Sequence, residues 1–332
     1  MKYIIDGHYD ILMDVAARRK KGERQVIRRR YYPAFQKGGV TGIVASIFVD
    51  SQYLPYGALS VAMEQISALH CEIEETPDLL MLCTSADDFL RAAETGRIGF
   101  LLSFEGAEPV SSCLLLHGFY AAGVRGLGLA WSRRNAAADG CDFSGSLKKG
   151  GLTEFGRELV KEAEDLHMIL DLSHLSDEGV EDVLSITSCP VIASHSNSRA
   201  VAGSNRNLTD CQMRETASRG GTVGLNGCSL LTAGPGVSPD QNGLTTHLDH
   251  MTEIMGEDHV AFGFDFCDSF FADDLSSSTD QMPERPFDIL SGAHEDLPAF
   301  LDHLRQHGYT ESHLAKLAGE NWLHTFRHIL KH

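Results

Sequence analysis

Six residues of metal-ligand or acid/base type punctuate this chain at wide intervals. They are His8 and Asp10 in Asp-Gly-His-Tyr-Asp, Glu105 in Ser-Phe-Glu-Gly-Ala, His174 in Asp-Leu-Ser-His, His195 in Ser-His-Ser-Asn-Ser-Arg, and Asp265 in Gly-Phe-Asp-Phe. Imidazole with carboxylate suits zinc or a similar divalent ion. Each residue also has a plain structural reading. A His-x-Asp at a strand end serves turns, Glu105 fits a helix start, His174 and His195 fit a turn and a loop, and Asp265 fits a helix cap. Taken together, three histidines and two to three carboxylates exceed what one tetrahedral zinc needs, and they fit two ions if Glu105 bridges. His8, Asp10 and Glu105 then hold one ion, and Glu105, His174 and His195 the other, with room for a hydroxide between them. Asp265 is left to take a proton from that water and pass it to a leaving group.

Such a constellation needs a scaffold that brings distant segments to one end. Apolar runs at 3–6, 42–49, 98–103, 124–130, 168–173, 190–194, 222–226 and 259–265 predict eight strands, each apolar enough to be covered on both faces. Amphipathic stretches at 58–75, 86–95, 153–166, 177–186, 210–219 and 245–255 alternate with them. Ser85 and Thr209 precede two of these as N-caps. The alternation predicts an α/β fold, a (β/α)8 TIM barrel, in one domain over residues 1–332. No glycine-rich dinucleotide fingerprint follows the first strand, which disfavours an open doubly wound sheet. Every one of the six residues falls at the C-terminal end of a predicted strand, where barrel enzymes build their active sites. The Ser-, Asp- and Pro-rich segment 268–296 reads as a long loop at that same end, and three short helical patterns close the chain at 298–307, 311–317 and 319–329.

Composition narrows the function. The 332 residues carry a net charge of -18, which disfavours nucleic acid as a partner. No apolar run reaches a membrane span, so no membrane partner is expected. Eight cysteines without a Cys-x-x-Cys pair point to reduced thiols, and a strand at the very N-terminus leaves no signal peptide, so the expected location is cytoplasmic. Residues 18–30 depart from the acidic trend. Eight Arg and Lys against Glu23 give them +7 and leave -25 for the rest of the chain. This basic loop, 17–31, reads either as a solvated loop or as an overhang on the site that attracts anionic substrates.

The ordered set of motifs resembles the membrane (renal) dipeptidase family of zinc metallopeptidases. Besides the segments above, it includes Asn-Arg-Asn-Leu (205–208), His-Leu-Asp-His (247–250) and Gly-Glu-Asn-Trp (319–322), and it spans essentially the whole chain in order. The resemblance implies a (β/α)8 barrel of the metal-dependent hydrolase (amidohydrolase) type and a binuclear zinc centre with the same ligands. It also implies hydrolysis of dipeptides, with tolerance for a D-residue at the C-terminal position, and is compatible with a homodimer. Arg206 falls on the family's arginine for the substrate carboxylate, a role its planar two-donor fork suits; a helix-start salt bridge is its structural alternative. Two positions depart from the pattern. Trp131 stands where the renal enzymes carry an oxyanion-facing histidine, and Cys228 where they carry a substrate-facing tyrosine. Arg133 or Arg134 either replaces the lost charge or lies at the surface. These departures favour, as an alternative, another small amide such as an N-acyl amino acid or lactam at the same two-metal site.

Overall fold

Strands form where the chain offers apolar runs that can be buried on both faces, and the helices between them start at side chains able to cap. The computed structural model describes residues 1–141, 150–271 and 287–331. Among these, nine strands form one sheet: β1 (Ile5–Tyr9), β2 (Gly42–Phe48), β3 (Leu80–Leu82), β4 (Ile98–Glu105), β5 (Val124–Gly128), β6 (Ile169–Asp171), β7 (Ile192–Ala193), β8 (Thr222–Leu225) and β9 (Val260–Phe262). The order is β1-β2-β4-β5-β6-β7-β8-β9, with β3 paired to β4. Every ladder is parallel. The eight predicted strands are all present, in a nearly closed barrel of the α/β class. The N–H of Asp265 bonds His8 O at 3.2 Å and that of Phe264 bonds Asp6 Oδ1 at 2.9 Å, which joins the end of β9 to β1.

β3 is the strand that sequence reading missed. It pairs with Ile98–Phe100 at the start of β4, whereas β5 pairs only from Leu102 onward. Three residues sheltered by the lower half of a longer neighbour carry too little period to stand out. The caps, by contrast, behave as read. Ser85 with Asp88 and Thr209 with Gln212 both form capping boxes.

The end of the barrel opposite the strand C-termini is plugged by the last helix, Asn321–Ile329. Trp322 and Phe326, both fully buried, pack with Ile5, Val44, Leu101, Ile169, Ile192 and Ala261 from six strands. Gly7 makes room for this plug, because a Cβ there would lie 2.4 Å from Trp322 Cζ2. With that end filled by apolar side chains, the other is left to polar ones.

Two expectations need correction. Residues 17–31 are not a loop over the site. Helix Ile11–Lys20 takes the first four, and a single π-type turn, Ile27–Tyr31, takes the last five. The helix starts next to Asp10 and runs back down the barrel, about 15 Å for ten residues, which carries the cations away from the strand C-termini. There Arg19 pairs with Glu72 and with Glu75 (2.7 Å), and Lys20 with Glu64, all three on helix Ala58–Glu75. Two cations of the basic segment thus pair with an acidic helix, while Lys21, Arg24, Arg28, Arg29 and Arg30 stay exposed, as a solvated segment would have them. In the segment 268–296, Asp268–Phe271 and Ala293–Asp296 are helical, so its ends are not loop; residues 272–286, which carry most of the predicted loop, lie outside the described residues. His294 in its second helix is buried and holds Asp6 Oδ2 at 2.8 Å. No helix among the described residues is long and apolar enough to cross a membrane.

Candidate metal centre

All six residues converge at the strand C-termini. β1 presents His8 from within the strand, because between the pairs Asp6↔Ile43 and Tyr9↔Ala45 it advances three residues against two on β2. That irregularity re-aims the side chain. Asp10 is not in the strand: it is the N-cap position of helix Ile11–Lys20, with φ -77° and ψ 23°. The two therefore meet through a turn and not on one face of a strand. Their nearest side-chain atoms, His8 Nε2 and Asp10 Oδ1, are 3.5 Å apart.

Glu105, the last residue of β4, faces both ways. Its Oε2 lies 3.5 Å from His8 Nε2, while its Oε1 lies 2.9 Å from His174 Nε2 and 3.6 Å from His195 Nε2. The His174 and His195 Nε2 atoms are 2.9 Å apart, and the rings of His8 and His195 stack at 3.6 Å between centroids. Asp265 Oδ1 is 3.9 Å from His8 Nε2. His174 (φ 69°) and Asp265 (φ 58°) hold left-handed backbone, which costs on the order of 1 kcal/mol or more at a non-glycine residue. Burial pushes Glu105 well above the usual carboxylate range, and the nearby Asp10 adds to it. Burial opposes charge on His8, yet the Glu105 and Asp10 carboxylates outweigh it and raise its pKa well above the ordinary value. Burial holds His174 and His195 well below theirs, with Arg206 and His8 respectively the next contributors.

These residues fit divalent cations. Donor atoms of His8, Asp10 and Glu105, and separately of Glu105, His174 and His195, lie within 4.8 Å of one another. His8 Nε2 and Glu105 Oε2 are buried with no hydrogen-bond partner, a costly state that a cation would relieve. Donor atoms of His8, His195 and Asp265 form a third such group, and a fourth, Cys267, Asp268 and Asp288, has a different explanation. Each of its two carboxylates accepts backbone N–H groups flanking the other, which ties the ends of the intervening segment together.

The other expected site residues lie around this cluster. Arg206 is 7% exposed and donates to Ser196 Oγ at 2.8 Å and His195 O at 2.9 Å. Among the described residues it has no carboxylate partner, unlike Arg199 beside it, which pairs with Asp177. Trp131 stands 5.7 Å from His174, ring to ring, and edge-on to Phe48. Arg133 lies over both rings and pairs with Glu108, and Arg134 pairs with Asp139, so both arginines have internal counter-charges. Cys228 donates its backbone N–H to Asn226 Oδ1, and burial pushes its thiol up to about 12.

Sequence reading missed the residues that hold these side chains in place. Asn226 donates to Asp265 Oδ2 at 3.0 Å. Ser46 bonds Asp10, Ser132 bonds His174 Nδ1, and Asp171 and Ser194 stand behind His195. Asp171 and Ser194 sit inside the very motifs that supplied His174 and His195, so adjacency was the available signal. His247, from the His-Leu-Asp-His motif, is a structural anchor. Its Nδ1 accepts the Ser198 N–H (3.1 Å) and its Nε2 faces Thr232 O (3.2 Å), a pattern only the neutral ring satisfies.

Burial accordingly lowers the His247 pKa from 6.5 to about 4. The unfolded chain takes up this proton first, so the stabilisation is complete above pH ~6.5 and is lost as pH falls toward ~4, by at most about 3 kcal/mol. In urea unfolding, wild type is expected to lose more stability over that window than His247→Gln; parallel pH profiles would refute the assignment.

Known proteins share this architecture. The sequence profile of the membrane dipeptidase family (Peptidase family M19) matches residues 2–331. An uncharacterised protein from the pqqA 5′ region of Klebsiella pneumoniae is 33% identical over 83% of this chain and 98% of its own length. A metallopeptidase from Rhodobacter sphaeroides, solved with a phosphinate mimic of the dipeptide L-Ala-D-Ala, superposes with a TM-score of 0.83 at 30% identity, covering 98% of this chain and 99% of that one. Dipeptidase AC, a metallopeptidase of family M19, superposes with a TM-score of 0.84 at 30% identity, over 99% of this chain and 98% of its own.

Proposed function

Because the chain belongs to the membrane dipeptidase family of metallopeptidases, we propose that it hydrolyses dipeptides, including those with a D-residue at the C-terminal position, with two zinc ions. His8, Asp10 and Glu105 would hold one ion, and Glu105, His174 and His195 the other. The observation that carries this reading is the division of Glu105, one oxygen toward His8 and the other toward His174 and His195. When bound, such ions supply Lewis acidity and make a water acidic enough to ionise near neutral pH.

The chain's own groups supply the rest. Arg206 is a buried cation without a carboxylate partner among the described residues, and an uncompensated buried charge calls for an anion. The substrate's terminal carboxylate meets that need and would anchor one end of a short peptide beside His195. Asp265 is placed for proton transfer. Asn226 holds its Oδ2, its Oδ1 faces the cluster, and burial raises its pKa to about 6, close to where uptake and release are both easy. It would take the proton of the attacking water at Oδ1 and return it to the departing amine. The eight cysteines are all free thiols, which supports a reducing, cytoplasmic setting.

Asp265→Asn is expected to lower kcat by about 10²- to 10⁴-fold with metal content and KM little changed. An unaltered kcat would remove Asp265 from the mechanism. A second reading, an N-acyl amino acid or lactam, is favoured by Trp131, whose indole stands beside His174 and adds an apolar wall there. The zinc-loaded protein should be assayed on L,L and L,D dipeptides, their C-terminal amides and N-acyl amino acids. The dipeptidase reading expects turnover of free dipeptides and loss of it on amidation. Turnover of N-acyl amino acids in preference to free dipeptides would support the second reading, and no dipeptide cleavage at all would defeat the first.

A further inference from the structure

The two lobes of the centre share one hydroxyl. Ser194 Oγ lies 2.6 Å from His195 Nδ1, 3.5 Å from His8 Nδ1, within hydrogen-bond distance of Asp171 Oδ2, and 3.5 Å from Ser173 Oγ, whose other hydroxyl partner is Ser196 Oγ at 3.5 Å. His195 belongs to one ion set and His8 to the other. A hydroxyl has one proton to donate and two lone pairs to accept with. An ionised carboxylate can only accept, so the Ser194 proton goes to Asp171. With the Ser173 proton turned to Ser196 Oγ, both histidines donate to Ser194 from Nδ1 in the state that leaves Nε2, the atom that faces Glu105, with a bare lone pair for an ion.

We propose that Asp171 and Ser194 form a shared positioning pair that fixes the tautomers of His8 and His195 together, and so couples the two ion sites. This rests on the two-ion reading above. The pair is rigid on both sides. Asp171 Oδ1 accepts the Ser173 N–H at 2.9 Å and the Ser194 N–H at 3.0 Å, which fixes the carboxylate and turns Oδ2 to the hydroxyl. The Ser194 carbonyl fills the space where a Cβ at Gly263 would lie, 1.7 Å away. Ser132 gives the contrast: it is 2.8 Å from His174 Nδ1, contacts neither His8 nor His195, and serves one lobe only. Groups that orient a ligating histidine in this way typically change metal affinity by about 10- to 100-fold.

Asp171→Asn sharpens the test. The two backbone N–H groups require the amide oxygen at the Oδ1 position, so the NH2 faces Ser194 and donates to it. The Ser194 proton is then redirected to a ring nitrogen, and His195 is driven to carry its own proton on Nε2, where an ion would bind. Zinc titration of the metal-free protein, followed by calorimetry, reads the ion sites. Nitrogen-15 NMR of the imidazoles in the metal-free protein reads the tautomers, and circular dichroism verifies folding. Wild type is expected to show His195 protonated on Nδ1 and two binding steps. Ser194→Ala should weaken both steps by about 10-fold or more, Ser132→Ala one step only, and Asp171→Asn should shift the His195 tautomer and weaken zinc more than Ser194→Ala does. Wild-type His195 protonated on Nε2, or Ser194→Ala weakening a single step, overturns the proposal. A single zinc bound by wild type would instead defeat the two-ion reading, while the NMR result would still decide the tautomer assignment.

Discussion

Glu105→Gln is expected to reduce bound zinc from two ions to one or none and to lower kcat/KM by on the order of 1,000-fold, about 4 kcal/mol of transition-state stabilisation. The substitution keeps size and shape and changes one oxygen into a donor. Because Oε1 and Oε2 face different lobes, whichever way the amide turns, one lobe meets an N–H where it had a lone pair. The same change should leave the metal-free protein as stable as wild type or more so, by roughly 1 kcal/mol, since a buried carboxylate among other carboxylates is a burden until a cation neutralises it. That combination separates a ligand from a structural residue. Metal analysis, dipeptide kinetics and unfolding of the metal-free proteins check the three parts. Full zinc stoichiometry in the variant would refute the bridging role, and a large loss of metal-free stability would make Glu105 a core residue.

Trp322→Ala is expected to destabilise the fold by about 3–5 kcal/mol, the range for emptying a buried aromatic site. Trp322 is fully buried, its Nε1–H bonds Phe262 O at 2.8 Å, and its ring stacks on Phe326. Removing it opens a cavity at the closed end of the barrel, leaves the Phe262 carbonyl without that donor, and loosens the seam where β9 meets β1. A fall of roughly 5–10 °C in the unfolding midpoint follows from that energy in a chain of this size. Gly7 provides a second arm. Gly7→Ala alone forces a methyl against the indole and is expected to cost about 1–3 kcal/mol. In the Trp322→Ala background the cavity accommodates that methyl, so the two effects should be strongly non-additive. Additive effects would mean that the two residues do not share a packing site.

The sequence by itself determined which segments become strands, where two helices start, and which side-chain types stand at the strand C-termini, because these are local properties. Apolar runs, caps and ligand chemistry are visible within a window of a few residues. Even the place of Glu105 between His8 and the two other histidines was expected, since three histidines and two to three carboxylates outnumber the needs of one ion. The tertiary structure decided everything that depends on which distant groups meet. The run of cations after Asp10 looked like an open loop, yet Arg19 and Lys20 are taken up by Glu64, Glu72 and Glu75, about 44 to 56 residues further on. His294, in a segment read as irregular, is held by Asp6, 288 residues away. Asp10 reaches its neighbours through a helix start, and the Asp171–Ser194 pair gains its meaning only when His8 and His195 arrive on either side of one hydroxyl. A hydrogen bond or ion pair across a barrel leaves no period in the sequence. It is fixed by register, by a bulge in β1, and by a tryptophan that fills the far end and leaves the near one to polar groups.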